Sequence, residues 1–180
     1  MTSGARRPVF WAILASVVVS DFITKQIAVA ALTGRPPVHI AGDWLLFRLV
    51  YNPGAAFGVN VGEHSRWVFM LLALVALAVL GSMVHRTLQA QWVRLVALGL
   101  VCGGALGNLI DRVRSARGVV DFIDVYIGPL HWPTFNVADM SVSCGAVALA
   151  VILWQEGHHP ETAAVVDPER SESLGHTSEA

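Results

Sequence analysis

Two aspartates stand in apolar surroundings in the C-terminal half of the chain. Asp121 lies in the segment VVDFIDV (119–125), and Asp139 follows Asn136 in the apolar run FNVADMSVSCGAVALAVILW (135–154). Two carboxylates brought within a few ångströms in a medium of low dielectric cannot both ionise cheaply, so they share one proton. The ionised member could then take a proton from water while the protonated member donates to a carbonyl oxygen. This chemistry hydrolyses a peptide bond without a metal or a covalent intermediate.

The same residues admit a purely structural interpretation. Asp139 could cap a helix whose dipole favours its ionised form, and Asn136 could bind either the helix amides or the backbone of a substrate. Asp121 and the nearby Asp124 could both be loop residues. Spacing alone does not choose between catalysis and structure.

The composition of the chain indicates where this chemistry would take place. Of the 180 residues, 54% are hydrophobic and only 14% are charged, whereas soluble domains carry roughly 25% charged residues. The net charge of −1 gives no electrostatic reason to expect nucleic acid as a partner. We therefore predict a membrane domain over residues 1–156. Residues 157–180, which hold five of the thirteen acids, are predicted to form a polar, disordered and dispensable tail.

Four segments contain the roughly 20 mainly apolar residues that a membrane-crossing helix needs. They span about 9–32, 67–84, 93–111 and 137–155. The ends of these segments carry five of the six tryptophans, as expected for the aromatic belt at a membrane interface; the five are Trp11, Trp67, Trp92, Trp132 and Trp154. The first segment could instead be a cleaved signal peptide. Its apolar pattern resumes after Lys25, however, which favours an uncleaved helix.

The connections between these helices differ in length and character. In the first, 33–66, β-branched and aromatic residues alternate with polar ones, which predicts one or two short strands. The third, 112–136, contains two glycines and two prolines, which predicts a structured loop on the same side. Four arginines lie on the side of the termini and six on the other side. This distribution does not settle the orientation by the positive-inside rule.

Further polar residues in the apolar segments have two interpretations each. Asp21 and Lys25 are four residues apart on the first helix, so they could form an ion pair that fixes helix packing. Asn108 and Arg112 follow three glycines that let neighbouring backbones approach, and could either join helices or bind a substrate. The two cysteines lie in apolar runs without metal-ligand spacing, so we expect free thiols that pack as small apolar residues.

Five sequence blocks, in this order, carry a resemblance to one family. They are DFITK (21–25), NPGAAFG (52–58), GGALGNLIDR (103–112), GVVDFIDV (118–125) and FNVADMSVSCG (135–145). Each block alone is weak. Together, on a framework of four helices, they resemble the bacterial lipoprotein signal peptidases (signal peptidase II).

The resemblance implies an intramembrane aspartic peptidase of the bacterial cytoplasmic (inner) membrane, with both termini in the cytoplasm. Such an enzyme removes the signal peptide of a lipid-modified prolipoprotein just before the diacylglyceryl-cysteine. The catalytic pair of the family matches Asp121 and Asp139. The residues that line the substrate cleft match Asn52, Gly54, Asn108, Arg112 and Asn136, and Asp21 with Lys25 would support that cleft.

The resemblance also implies an all-α membrane fold of four transmembrane helices with a small periplasmic β-cradle and a short interfacial helix. Residues 38–51 and 59–66 would supply these last two parts. We expect no cofactor and no metal, a monomer, and prolipoproteins and membrane phospholipid as partners.

Two other classes of protein remain open from the residues themselves. A small proton-coupled transporter could use the ionisable residues as a relay, although it would usually carry similar halves or interrupted helices; the relay would be Asp21, Lys25, Asp111, Asp121 and Asp139. A non-catalytic scaffold would use the same residues only for packing. A scaffold should tolerate Asp→Asn changes at positions 121 and 139, whereas a peptidase should not.

Overall fold

Four long helices make up most of the protein. The computed structural model describes residues 7–54, 62–87 and 91–158. The helices are α1 (Arg7–Leu32), α2 (Ser65–Arg86), α3 (Trp92–Arg114) and α4 (Val137–His158), and all four are long and apolar enough to cross a membrane. The prediction of four such helices is therefore confirmed, and each observed helix extends past its predicted ends by at most three residues. Of the predicted polar tail, residues 159–180 lie outside the described residues, while Gly157 and His158 still belong to α4.

A small antiparallel sheet completes the fold. Its strands are β1 (Val38–Ala41), β2 (Leu45–Asn52), β3 (Val119–Ile127) and β4 (Leu130–Phe135), and they lie side by side in that order. The prediction of strands in the first connection is confirmed. The third connection was predicted as a structured loop without strands, and this is wrong in that β3 and β4 form there.

The composition of β3 and β4 explains why they are strands. The run VVDFIDVYI is rich in β-branched and aromatic residues and is bounded by Gly118 and Gly128, whose positive φ angles mark turns. Pro133 would break a central strand because it cannot donate a ladder hydrogen bond. Here it lies in β4, which is an edge strand with one unpaired side.

The backbone at the start of β3 lies very close to the backbone at the end of β2. Asn52 pairs with Val119 and Val50 pairs with Asp121 across the two strands. Gly118 has φ of +95°, and a Cβ atom there would collide with the backbone carbonyl of Asn52. Only glycine therefore allows this approach, which sets the side chain of Asn52 diagonally across from Asp121.

The predicted short interfacial helix over 59–66 falls only in part on described residues. The described part is a single 3₁₀ turn, Gly62–His64, which leads directly into α2. Residues 55–58 of the NPGAAFG block also lie outside the described residues.

Glycines on α3 bring the other helices close to it. A Cβ at Gly103 would meet Val17 of α1, and a Cβ at Gly104 would collide with the carbonyl of Ala138 in α4. These contacts confirm the expectation that the glycines permit close backbone approach. They bring α1, α3 and the first turn of α4 together at the end of the bundle that carries the sheet.

The packing differs between the two ends of the bundle. At one end Phe10, Leu95, Leu98 and other apolar side chains of the four helices form a core, and at the other end the sheet packs on α1 through Ala28, Leu32 and Phe122. The outer faces of the helices are apolar and exposed, with Trp11, Leu71 and Trp154 all more than 60% accessible. Such a surface is stable only in contact with lipid. The chain is a multi-pass membrane protein.

Candidate active site

Asn136 joins the two aspartates that the sequence singled out. Its side-chain Nδ2 donates a hydrogen bond to Oδ1 of Asp121 at 2.6 Å, and its backbone N–H donates to Oδ2 of Asp139 at 3.2 Å. Asp121 and Asn136 are almost completely buried. The structure therefore places Asp121 and Asp139 on either side of one residue, at the junction of β3, β4 and α4.

The first turn of α4 fixes the carboxylate of Asp139. The backbone N–H of Asp139 donates to Oδ1 of Asn136 at 2.9 Å, while the Asp139 carboxylate accepts the N–H of Asn136. This reciprocal pair is a capping box with Asn136 as the N-cap. The interpretation of Asp139 as a helix-capping residue is therefore correct. Capping, however, uses only one oxygen of the carboxylate. The other oxygen, Oδ1, accepts a hydrogen bond from Nδ2 of Asn108 at 2.8 Å.

Asn52 holds the outer side of Asp121. Its Nδ2 donates to Oδ2 of Asp121 at 3.1 Å, and its Oδ1 accepts the backbone N–H of Gly54 at 3.0 Å. The second bond is the local turn expected of an Asn followed by Pro-Gly. It orients the amide group so that its donor side faces the carboxylate.

Burial changes the acidity of Asp121. The side chain is only 2% exposed, and this desolvation, together with the negative charge of Asp139, raises its pKa from 3.8 to about 7. The hydrogen bonds from Asn52 and Asn136 and the charge of Lys25 favour the ionised form and limit the increase in pKa. At neutral pH a substantial fraction of Asp121 is therefore protonated.

Lys25 lies behind the aspartates and contacts three oxygens. Its Nζ lies 2.7 Å from Oδ2 of Asp21, 2.9 Å from Oδ2 of Asp111 and 3.0 Å from Oδ1 of Asn108. The predicted Asp21–Lys25 pair is present, and both residues are 1% exposed. Because the amide oxygen of Asn108 accepts from the ammonium, its NH₂ group must point the other way, towards Asp139.

Two bonds made by the acidic partners of Lys25 were not foreseen from the sequence. Oδ1 of Asp21 accepts the backbone N–H of Ala138 in α4 at 2.9 Å. Oδ2 of Asp111 accepts the N–H of Val120, the residue before Asp121, at 3.2 Å. The only sequence signal for Asp111 was its position between Asn108 and Arg112, which did not indicate a partner.

Arg112 lies beside the site without pairing directly to either aspartate. Its guanidinium donates to the carbonyl of Gly54 at 3.0 Å and to that of Asn108, four residues earlier, at 3.2 Å. The residue is only 8% exposed, so its side chain is buried in the protein. It fixes the turn after Asn52 against the end of α3.

Asp124 belongs to a separate cluster on the sheet. It is 1% exposed, and its carboxylate contacts Nε2 of His131 at 2.6 Å, Nη2 of Arg48 at 3.2 Å and the hydroxyl of Thr134 at 3.2 Å. These partners hold β2, β3 and β4 together. The two acids of the VVDFIDV segment therefore have different surroundings, and only Asp121 lies next to Asp139.

Neither the thiols nor the acids suggest a metal centre. Cys102 and Cys144 are both free, as expected. Over residues 7–54, 62–87 and 91–158, no three His, Cys, Asp or Glu side chains are arranged to hold a metal ion.

Comparisons with known proteins give the same family for the whole body of the chain. The family model described as signal peptidase (SPase) II matches residues 13–155. A lipoprotein signal peptidase of Rhodococcus jostii (strain RHA1) is 45% identical over 154 residues, which cover 82% of this chain and 73% of that protein. A lipoprotein signal peptidase of Hydrogenovibrio crunogenus (strain DSM 25203 / XCL-2) is 43% identical over 150 residues, covering 82% and 86%.

The fold agrees with a solved structure. A bacterial membrane enzyme determined by the in meso method at 2.3 Å resolution superposes with a TM-score of 0.73 at 31% identity, covering 82% of this chain and 88% of that one. The four apolar helices and the family match together identify a multi-pass membrane protease. The chain belongs to the signal peptidase II family, which functions in lipoprotein processing.

The ion pairs of Lys25 predict a strong effect on stability. Lys25→Met leaves the buried Asp21 and the partly buried Asp111 without their cation. We expect the free energy of unfolding to fall by about 3–5 kcal/mol. Thermal or denaturant unfolding in detergent measures the change. Arg94→Met is the matched control, because Arg94 pairs with the half-exposed Glu156 and its loss should cost about 1 kcal/mol or less. Equal effects of the two changes would contradict the role given to Lys25.

Proposed function

We propose that this protein is an intramembrane aspartic endopeptidase that removes signal peptides from diacylglyceryl-modified prolipoproteins, with Asp121 and Asp139 as its catalytic pair. The observation that carries the proposal is the bridge through Asn136, which binds both the buried carboxylate of Asp121 and the partly buried carboxylate of Asp139. Family membership supplies the substrate class.

The two carboxylates have surroundings suited to opposite roles. Asp139 lies at the N-terminus of α4, where the helix dipole and two donated hydrogen bonds favour a negative charge. Asp121 is desolvated and, with its pKa raised to about 7, is protonated in a substantial fraction of molecules at neutral pH. Asp139 would therefore be the base and Asp121 the acid in the first step.

The reaction then proceeds in two balanced steps. Asp139 takes a proton from water as the oxygen attacks the scissile carbonyl carbon, and Asp121 gives its proton to the carbonyl oxygen, which leaves a neutral tetrahedral diol. In the second step Asp139 returns its proton to the departing amine and Asp121 takes one from a diol hydroxyl. The C–N bond breaks, and the pair regains its starting protonation. Cleavage would fall just before the lipid-bearing cysteine.

The location of the site suits a lipid-anchored substrate. The pair lies where the helices meet the sheet, so acyl chains could remain in the hydrocarbon while the scissile bond meets water. We place the sheet, and residues 59–66 as a short interfacial helix, on the periplasmic face of the bacterial inner membrane. Both termini and the tail would then be cytoplasmic. The enzyme would act as a monomer among membrane phospholipids, without metal or cofactor.

Substitution of the acids tests the catalytic pair. We expect Asp121→Asn and Asp139→Asn to abolish conversion of a diacylglyceryl-modified prolipoprotein by purified enzyme, with a loss of at least about 10³-fold, because each carboxyl transfers a proton in both steps. Asp124→Asn is the matched control on the same strand, and it should retain cleavage if the variant folds. Full activity of either variant of the pair would show that the wrong acid has been named, and Asp124 and Asp111 would be examined next.

Arg112 and Asn108 have a proposed role in holding the backbone or headgroup of the substrate. Arg112 lies between the Gly54 turn and α3, so Arg112→Ala should raise KM by about tenfold, the equivalent of one charge-assisted hydrogen bond. The measurement is initial rate against prolipoprotein concentration, with folding checked by thermal unfolding. Unchanged binding and turnover would remove Arg112 from the binding site.

The pH dependence of cleavage tests the proton on Asp121. Only the protonated acid can donate, so kcat/KM should fall about tenfold per pH unit as pH rises above about 7. Asn52 donates a hydrogen bond that favours the ionised form, so Asn52→Ala should raise the pKa of Asp121 and move this alkaline limb to higher pH. An alkaline limb that does not move would mean that another group titrates.

A further inference from the structure

Three arginines form a rim around the end of the bundle at which the active site lies. Arg66 begins α2, while Arg114 ends α3 and Arg117 precedes β3. Arg66 donates through Nε to the carbonyl of Arg112 at 2.6 Å and through Nη2 to that of Val113 at 3.2 Å. The start of α2 and the end of α3 are therefore at the same level. We call Arg66, Arg114 and Arg117 the arginine rim.

Each arginine of the rim lies over an aromatic ring. The Cζ atoms are 5.2 Å from the ring centre of Trp67 for Arg66, 4.9 Å from that of Phe22 for Arg114 and 3.9 Å from that of Tyr51 for Arg117. A guanidinium stacked on a ring is held in place but keeps its charge and the donors at its edge. The rings of Trp67 and Phe22 are themselves exposed on the outer helix surface, at 59% and 37%.

Salt bridges distinguish the rim arginines from two other arginines of the chain. Arg48 and Arg94 both have carboxylate partners, but within the described part of the chain no carboxylate pairs with a residue of the rim. Three acids of the candidate active site have other partners, since Asp111 binds Lys25 and Asn136 bridges Asp121 and Asp139. The rim is thus a set of preoriented cations at the border of an apolar surface.

We propose that the arginine rim binds the phosphate groups of anionic phospholipids in the leaflet that surrounds the active site. Guanidinium groups bind phosphate through two parallel hydrogen bonds, and the exposed rings beneath them continue into the lipid-facing surface of α1 and α2. A lipid satisfies both features at once, because its headgroup meets the arginine while its chains meet the helix. This function is separate from peptide cleavage and uses no residue of the proposed cleft.

Lipid selection by the reconstituted protein tests the proposal without any cleavage assay. The full-length chain is placed in phosphatidylcholine bilayers with a trace of spin-labelled phosphatidylglycerol or spin-labelled phosphatidylcholine. Electron paramagnetic resonance then gives the relative affinity of the protein for the two lipids. We expect wild type to favour phosphatidylglycerol by about fivefold or more at low salt, since a surface arginine contributes about 1 kcal/mol towards an anionic lipid. The preference should shrink in 1 M salt.

Two double variants and one single variant distinguish the effect of the rim on lipid preference from the effect of positive charge in general. Arg114→Gln with Arg117→Gln leaves the backbone bonds of Arg66 intact and should reduce the preference for phosphatidylglycerol by at least half. Arg114→Lys with Arg117→Lys keeps the charge and should keep most of the preference. Arg86→Gln removes a charge at the other end of α2 and should have a smaller effect than the glutamine pair.

Three results would overturn the proposal. One is equal affinity of the wild type for the two lipids, and another is a glutamine pair that selects lipid as well as the wild type. The third is an unchanged lipid preference of the glutamine pair accompanied by a raised KM for prolipoprotein in pure phosphatidylcholine, which would show that the rim binds an acidic part of the substrate instead.

Discussion

A single ammonium group in the membrane domain constrains the rest of the structure. Lys25 cannot stay charged in an apolar interior without partners, and it gains three from two helices: Asp21, Asp111 and Asn108. Asp21 also accepts the N–H of Ala138 in the first turn of α4, and Asp111 accepts that of Val120 in β3. Asn108 donates to the carboxylate of Asp139 and accepts from Nδ2 of Asn136. The requirement to satisfy one buried cation thus positions both sides of the active site. The polar residues around Lys25, Asp121 and Asp139 form one network.

The fold was predictable from the sequence where one physical signal dominates. Apolar length alone identifies the four helices, because a membrane accepts little else over 20 residues. Strands β3 and β4 were missed because the third connection contains the local signals of a loop: Asp121 and Asp124 occur in one strand, and Pro133 in the other. The strands tolerate these residues because Asp121 and Asp124 are buried with partners and Pro133 lies on an edge strand. Burial and edge position are both properties of the tertiary structure.

The candidate site could be predicted from the sequence only in part. Spacing could not separate Asp121 from Asp124, and it was the resemblance of ordered blocks that favoured Asp121. The structure gives a physical difference, since Asp124 is paired with Arg48 and contacts His131, whereas Asp121 lies close to the charge of another acid. No helical or strand periodicity predicts the hydrogen bond between Asp111 and Val120. Such contacts depend on how a helix end meets a sheet, and sequence patterns do not encode that geometry.

The bond from Asp21 to Ala138 spans 117 positions of the chain, which has a consequence for biosynthesis. Translation delivers α1 first and α4 last, so the amide that Asp21 accepts does not exist until nearly the whole chain has been made. Asp139 arrives on that same final helix. The two carboxylates of the proposed catalytic pair are therefore not yet together while the earlier helices enter the bilayer.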